Sequence, residues 1–282
     1  MKLSIMSYTF SRQGWRKNGR FDLEGMCRVA QELGIDGVDV VSTHNLLPAD
    51  IRRILSDFGQ KAVCYTFKAD LNAATAKERG IGADQVRAGV DVAVEIGAPL
   101  IMVVTPGKPG VAREVSRRQF IGGLQESADF ARKAGIIMTI ENFPGKDSPF
   151  VVSSDVLEAF REVPGLKLTF DNGNVLTGGE DPSVSFMRCA AHVVHAHFKD
   201  WVLAGPGGGL EGLDGRHYAA ALIGEGIVPH VSCLDAMKEA GYQGYINIEY
   251  EGKQYPPDEA TRRAAGYLNN LIRHARPCKG AD

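Results

Sequence analysis

Four side chains of the kinds that bind metal ions stand in or directly after separate short apolar runs. They are Glu141 after residues 136–140, Asp171 after 166–170, His197 within 193–198 and Glu249 after 245–248. Three carboxylates and one imidazole suit a divalent cation that prefers oxygen ligands more strongly than structural zinc does. Burying several unpaired carboxylates together is costly without a cation, so their joint occurrence predicts a metal site.

These apolar runs belong to a longer series that predicts the fold. Eight runs occur, at about residues 3–8, 36–41, 62–67, 99–105, 136–141, 166–171, 193–198 and 245–249. Segments with helical periodicity separate most of them, and several of these segments end in a glycine, such as Gly34 or Gly97. Strands that alternate with helices form a parallel sheet covered by helices, and eight such strands can close into a barrel.

A doubly wound open sheet is the alternative to a barrel. Such sheets usually carry a glycine-rich phosphate turn after the first strand, but the chain reads YTFSR at residues 8–12. We therefore predict a single (β/α)8 barrel over residues 1–276 and a flexible C-terminal tail at 277–282. The four candidate ligands are 30, 26 and 52 positions apart, which places them at the exit ends of strands five to eight, around one cavity.

The residues alone leave two ligand assignments open. His195 lies two positions before His197, and Glu251 lies two positions after Glu249. Residues two apart on a strand point to the same side, so either member of each pair could be the ligand and the other a hydrogen-bonded neighbour.

Composition limits the class of protein and its surroundings. The net charge of −2 and the pI near 6.4 give no basic surface for nucleic acid. Five cysteines without CxxC spacing are typical of reduced thiols in a cytosolic protein. The sequence has no apolar stretch long enough to span a membrane and begins without the features of a secretory signal, so we expect a cytoplasmic protein without membrane partners.

Two connections are longer than the repeat requires. Residues 68–83 lengthen the connection after strand three, and residues 201–228, with the sequence GPGGG at 205–209, lengthen the one after strand seven. Long connections on the exit side of a barrel often cover a substrate. A mobile lid and a disordered surface loop are both compatible with the glycine content of the second one.

Several local motifs resemble those of a known family. They are TIEN at 139–142, FDNGN at 170–174, HAHFKD at 195–200, GEG at 224–226 and GYINIEYEG at 244–252. Together they resemble the xylose isomerase-like TIM barrels, the AP endonuclease 2-like or sugar phosphate isomerase/epimerase superfamily, over essentially the whole chain. The resemblance implies one divalent metal bound by Glu141, Asp171, His197 and Glu249. Mn²⁺ suits three oxygens and one nitrogen best, with Mg²⁺, Co²⁺ and Zn²⁺ as alternatives.

The resemblance also implies a reaction. In epimerases of this superfamily two carboxylates hold the metal and exchange a proton with substrate carbon, here Glu141 and Glu249. We therefore expect an isomerase or epimerase that removes a proton next to the carbonyl of a sugar derivative, through a metal-stabilised enediolate. Ketose 3-epimerases carry a histidine three positions after the aspartate, where this chain has Asn174, so epimerisation of a free ketose at that carbon is less well supported.

Other members of the superfamily provide the alternatives. If the enediolate expels a β-oxygen, the enzyme is a lyase, as in inosose dehydratases and in lyases that act on 3-keto-glycosides. Endonuclease IV shares the fold but needs three metals and more histidines than this chain offers. The net negative charge of this chain also opposes binding to DNA. A sugar-binding protein without catalytic activity is the remaining alternative.

Further residues are candidates for binding a small carbohydrate. They are His195, Lys199, Asn174, Asn142, Glu251 and Lys108. Lys199 follows the ligand histidine, and Lys108 follows strand four, where it would recognise an anionic group. Barrels of this superfamily often associate, so a homo-oligomer, either a dimer or a tetramer, is expected from the resemblance.

Overall fold

All eight predicted apolar runs form strands of a closed parallel barrel. The structure is a computed structural model that describes residues 1–275. The barrel strands are β1 Lys2–Met6, β2 Gly37–Val41, β3 Lys61–Lys68, β4 Leu100–Val104, β5 Ile137–Glu141, β6 Lys167–Asp171, β7 Val193–Phe198 and β8 Tyr245–Ile248. Each strand pairs in parallel with its neighbours, and β1 pairs with both β2 and β8. The prediction of a (β/α)8 barrel is therefore confirmed.

Helices cover the barrel and connect successive strands. They are α1 Ser7–Arg12, α2 Leu23–Glu32, α3 Pro48–Asp57, α4 Ala76–Ile96, α5 Arg113–Lys133, α6 Ser153–Glu162, α7 Pro182–Cys189, α8 His230–Glu239 and α9 Pro257–His274. Local sequence sets their ends: Thr75 and Glu78 form a capping box at the start of α4, and Gly97 ends that helix with φ at +79°. Within residues 1–275, no helix is long and apolar enough to cross a bilayer.

The two faces of the barrel strands have different surroundings. Outward-facing side chains, such as Ile5, Val38 and Ile140, pack with the helices in one large apolar core. The interior of the barrel is partly polar, and its side chains form hydrogen bonds between neighbouring strands. Thr139 Oγ1 lies 2.8 Å from Thr169 Oγ1, for example. This alternation follows from the period of two along a strand, and it directs the residues at the strand ends into the barrel mouth.

The long connections differ from the predicted irregular loops. Only the first part of 68–83 is a loop, because α4 begins at Ala76 after the Thr75 cap. Within 201–228 the chain forms a three-stranded antiparallel sheet of Asp200–Ala204, Leu210–Glu211 and His217–Ala221, which we call the cap sheet. Its strands are too short and too interrupted by glycine to show alternation in sequence. The predicted tail at 277–282 lies outside the described residues.

Candidate metal centre

The four predicted ligands lie together at the exit end of the barrel. One potential ligand atom from each of Glu141, Asp171, His197 and Glu249 lies within 4.8 Å of the others, and all four residues are buried. A one-residue shift in the pairing of β6 with β7, between Leu168 and Thr169, places Asp171 opposite His197. Without that shift Asp171 would lie opposite Ala196, whose side chain points to the other face.

Asp39 fixes the orientation of His197, the candidate ligand histidine. Asp39 Oδ2 lies 3.3 Å from His197 Nε2 and 2.6 Å from His195 Nε2, and Ser4 Oγ donates to the other Asp39 oxygen. With Nε2 bonded to Asp39, His197 presents Nδ1 to the carboxylates, 2.7 Å from Glu141 Oε1. An acidic partner that holds the far nitrogen of a metal-binding histidine is a common arrangement.

The carboxylates around His197 raise the pKa of its imidazole. Burial alone would lower the pKa of His197, but hydrogen bonds with Asp39 and Glu141 and the carboxylate of Glu249, 3.5 Å from Nδ1, raise it well above its ordinary value. Conversely, burial would raise the pKa of Asp39, and the two histidines lower it below its ordinary value. A metal ion bound by the same residues would compete with a proton for His197 Nδ1.

Two carboxylate oxygens in the cluster accept no hydrogen bond. Asp171 Oδ1 accepts from the backbone N–H groups of Gly173 and Asn174, at 2.8 and 2.7 Å, whereas Asp171 Oδ2 and Glu249 Oε2 accept none. Each of these oxygens has only a long contact with a cationic group, Lys199 Nζ at 3.4 Å from Asp171 Oδ2 and His197 Nδ1 at 3.5 Å from Glu249 Oε2. A bound cation would satisfy both of them. The donor set of three carboxylates and one imidazole therefore fits a divalent metal ion.

The neighbouring charges shift the pKa values of the carboxylates in the cluster. Burial and the negative charges of Glu141 and Glu249 raise the pKa of Asp171 well above its ordinary value, although Lys199 acts in the opposite direction. Burial also acts to raise the pKa of Glu249, but Lys199 and then His197 bring it down to about 2. The pKa values of these two carboxylates therefore shift in opposite directions, and the Lys199 ammonium lies nearer to Glu249 than to Asp171.

Lys199 links the carboxylates of the cluster to the ion pair between Arg12 and Glu251. Its ammonium lies 2.9 Å from Glu251 Oε1, 3.1 Å from Glu249 Oε1 and 3.4 Å from Asp171 Oδ2. Burial would lower the pKa of Lys199, but these carboxylates raise it well above its ordinary value. Arg12 binds the other side of Glu251, through an ion pair of 3.2 Å and a hydrogen bond to its carbonyl oxygen. Glu251 therefore holds both the Arg12 guanidinium and the Lys199 ammonium at the cavity.

A buried network around Asp200 holds the segment that follows β7. Its carboxylate accepts four backbone N–H groups at 2.9 to 3.0 Å, those of Trp201, Gly224, Gly226 and Val228. It also lies 3.1 Å from His230 Nε2. A side chain at Gly226 would collide with Asp200, which explains the glycine there. The network joins the cap sheet to the 224–228 turn just beyond Lys199.

A cavity of about 740 Å³ opens above the cluster. Glu141, His197 and Glu249 line its floor, and Lys199 and Glu251 line it nearby. Its remaining walls include the aromatic and aliphatic side chains of Tyr8, Phe143, Pro144, Trp201, Leu210 and Tyr218. A volume of this size suits a small organic ligand.

The other predicted substrate-binding residues do not line this cavity. Asn142 pairs instead with the backbone of Asp171, donating to its carbonyl oxygen and accepting from its N–H. Asn174 and His195 are fully buried, and the exposed Lys108 donates to the carbonyl oxygen of Asn72. Asn142 stands directly after β5, where alternation turns its side chain away from the barrel axis, and Asn174 precedes the 3₁₀ turn Val175–Gly178 beyond β6.

Sequence reasoning missed residues that follow β1. Tyr8 and Arg12 line the cavity, and Arg12 donates to the hydroxyl oxygen of Tyr8 as well as to Glu251. The available signal was their position in the first exit-side connection. No local motif linked them to Glu251, which lies 239 residues further along the chain.

Comparisons with known proteins agree with this architecture. The sequence model of the xylose isomerase-like TIM barrel family matches residues 27–271. Inosose dehydratase from Lacticaseibacillus casei is 28% identical over 158 residues, which cover 52% of each chain. L-ribulose-5-phosphate 3-epimerase UlaE from Escherichia coli strain K12 is 25% identical over 177 residues, 61% of this chain and 56% of the relative.

Both relatives are enzymes, and each match spans little more than half of the relative's length. Among solved structures, that of IolI protein with a bound zinc atom has a TM-score of 0.79 at 14% identity, and the match covers 98% of this chain and 99% of that chain. At this identity the likeness shows the fold alone. The family match covers most of the sequence and the closed barrel agrees with it. The chain therefore belongs to the xylose isomerase-like TIM barrel family.

Proposed function

We propose that the protein is a divalent-metal-dependent isomerase or epimerase of a sugar derivative. It would remove a proton from the carbon next to a carbonyl group and return it, with Glu141 and Glu249 as the acid/base pair. The observation that carries this proposal is the pairing of these two carboxylates, which line one cavity, are only 3% and 6% exposed, and lie within 4.8 Å of each other.

Glu141, Asp171, His197 and Glu249 would hold the metal. When bound, a divalent cation supplies positive charge that polarises a carbonyl and stabilises the negative charge of an enediolate. The oxygen-rich donor set favours Mn²⁺, and the zinc atom of the IolI structure makes Zn²⁺ the first alternative. Asp39 contributes by keeping His197 Nδ1, rather than Nε2, directed at the carboxylates.

The two glutamates extend from different strands. Glu141 ends β5 and Glu249 follows β8, so a ketose held between them would meet one carboxylate on each side. One carboxylate would take the proton from carbon and the other would return a proton on the opposite face, which inverts that carbon. The walls of the cavity, including Trp201 and Phe143, would exclude water from the reacting carbon.

A lyase is the second candidate, and Lys199 is the observation that favours it. Elimination of a β-hydroxyl needs an acid that protonates the leaving oxygen. The Lys199 ammonium lines the cavity 3.1 Å from Glu249, so a proton donor stands beside the proposed base. The similarity to inosose dehydratase supports the same outcome.

Incubation in D₂O with a panel of ketoses, ketose phosphates and inososes separates these candidates. Loaded with Mn²⁺ or Zn²⁺, the protein should incorporate deuterium next to the carbonyl of one substrate, detected by NMR. Deuterium in an epimer or isomer identifies the first candidate, and a dehydrated product identifies the second.

The variant Glu141→Gln tests the acid/base assignment. It should reduce deuterium incorporation by about a thousandfold, which is within the usual contribution of a general base. Glu239→Gln, at an exposed position on α8, is the matched control and should keep full activity. Full activity of Glu141→Gln would overturn the assignment.

A further inference from the structure

The cationic side chains that line the cavity fall into two groups. Arg12 and Lys199 are both engaged with Glu251, as described above. Lys68, the last residue of β3, and Lys253, which follows β8, also line the cavity. Neither of these two lysines forms an ion pair or a side-chain hydrogen bond with any residue in the described chain, 1–275.

The charged side chains around the cavity would leave it positive once a metal ion is bound. Four cationic side chains line it, and four carboxylates face them: Glu141, Glu249 and Glu251 in the lining and Asp171 directly beneath. A divalent cation held by the proposed ligands would leave this set positive by two charges. A positively charged cavity binds anions in preference to neutral molecules of the same shape.

The two free lysines lie away from the carboxylates that would react with substrate. Both are exposed at the cavity mouth, whereas Glu141 and Glu249 are buried at its floor. Around the barrel, β3 and β8 are separated by β2 and β1, so Lys68, Arg12 and Lys253 belong to one arc of the wall. A substrate with its carbonyl at the floor would extend its far end toward this arc.

We propose that the substrate carries an anionic group, a phosphate or a carboxylate, at the end remote from its carbonyl, and that Lys68 and Lys253 bind this group. The inference rests on the proposed function, because that function places the carbonyl at the floor. It assigns anion recognition to these two lysines and not to Lys108, which lies outside the cavity.

A matched set of three ketoses tests the proposal. D-Fructose is neutral, D-fructose 6-phosphate carries a phosphate at its far end, and D-fructuronate carries a carboxylate there. Their dissociation constants for the metal-loaded protein are measured by titration calorimetry. At least one of the two anions should bind about tenfold more tightly than fructose, and the one that does identifies the group.

Lysine variants identify the residues responsible. Lys68→Met and Lys253→Met should each reduce the preference for the anion, and the double variant should abolish it without weakening the binding of fructose. Lys108→Met, the matched control, should leave the preference unchanged. Equal binding or no binding of all three ketoses by the unaltered protein, or a preference that survives in the double variant, would overturn the proposal.

The outcome is separable from that of the proposed reaction. A lysine-dependent preference for the anion, together with no deuterium exchange in any substrate of the panel, would overturn the reaction and support anion recognition. Deuterium exchange on fructose with the same affinity for all three ketoses would support the reaction and overturn anion recognition.

Discussion

The two halves of the barrel's exit face present different side chains to the same cavity. Strands β5 to β8 and the residues just beyond them supply Glu141, His197, Lys199, Glu249 and Glu251. Strands β1 to β4 and the residues just beyond them supply Met6, Tyr8, Arg12, Val41, Thr66, Lys68, Met102 and Val104, of which only Arg12 and Lys68 are charged. All of these residues occupy equivalent places at or near the ends of parallel strands.

This difference shows that the fold creates eight similar positions and that the residue types decide which of them do chemistry. The half formed by β5 to β8 concentrates buried charge, which fits a divalent cation and would serve the proposed proton transfer. The half formed by β1 to β4 offers mainly neutral surface, which can shape and orient a ligand. A substrate would therefore bind with its reacting end toward β5 to β8.

The largest expected difference between the halves is in metal affinity. Asp171→Asn keeps the acceptor for the N–H groups of Gly173 and Asn174 but removes a charged ligand, so affinity for Mn²⁺ or Zn²⁺ should fall about a thousandfold. This loss exceeds the ten- to hundredfold that is typical of outer partners. Thr66→Val, at the exit end of β3, should change it less than about threefold. Competition with a fluorescent chelator measures both, and equal losses in the two variants would contradict the comparison.

The second prediction concerns the stability of the charged half. Asp200→Ala leaves four backbone N–H groups and His230 without their acceptor, so the free energy of unfolding should fall by about 3 kcal/mol. Urea denaturation measures this change. Asp147→Ala, at an exposed carboxylate, should fall within about 0.5 kcal/mol of the unaltered protein. A loss below 1 kcal/mol in Asp200→Ala would show that the network is dispensable.

Asp39 sharpens the comparison, because it belongs to β2 and yet serves the opposite half. Asp39→Asn should weaken metal binding by about ten- to hundredfold, since the amide no longer fixes His197 with Nδ1 toward the ligands. The ¹⁵N chemical shifts of the His197 ring report the same change without any assay of activity. An unaltered affinity and unaltered ring shifts would rule out a positioning role for Asp39.

The smallest expected effect is that of replacing Asn142, and it distinguishes a structural role for this residue from a role in substrate binding. Asn142→Ala should lower the free energy of unfolding by about 1 kcal/mol, because Asn142 replaces two missing hydrogen bonds of the Asp171 backbone. The KM of whichever substrate the D₂O screen identifies should change less than about threefold. A large rise in KM with unchanged stability would restore the role in substrate binding that the sequence suggested.

The sequence was sufficient to predict the barrel and to place the four candidate ligands close together, because both depend on local pattern. Each strand is a short apolar run, and each ligand stands at the end of its run, so counting strands places Glu141, Asp171, His197 and Glu249 around one axis. Asp39 was harder to assign, because its bonds to His195 and His197 cross the barrel from β2 to β7. Contacts between residues more than 150 positions apart leave no periodic signal in a single sequence.

The cap sheet and Arg12 were missed for related reasons. The strands of the cap sheet include one of two residues, Leu210–Glu211, and glycines separate them, so alternation is too brief to detect. Arg12 acquires its role only through Glu251 at the other end of the chain. Lys108 is the opposite case: a basic residue after a strand suggested anion binding, and the structure places its side chain outside the cavity, where it donates to the carbonyl oxygen of Asn72.

Metal stoichiometry tests the central claim most directly. The purified protein is dialysed against a chelator, reloaded with Mn²⁺ or Zn²⁺, freed of excess metal and measured by elemental analysis. The quartet predicts about one tightly bound divalent ion per chain, and almost none in the double variant Asp171→Asn, His197→Gln. A protein that retains no divalent ion, or a double variant that retains the ion at full stoichiometry, would contradict the assignment of these residues as a metal centre.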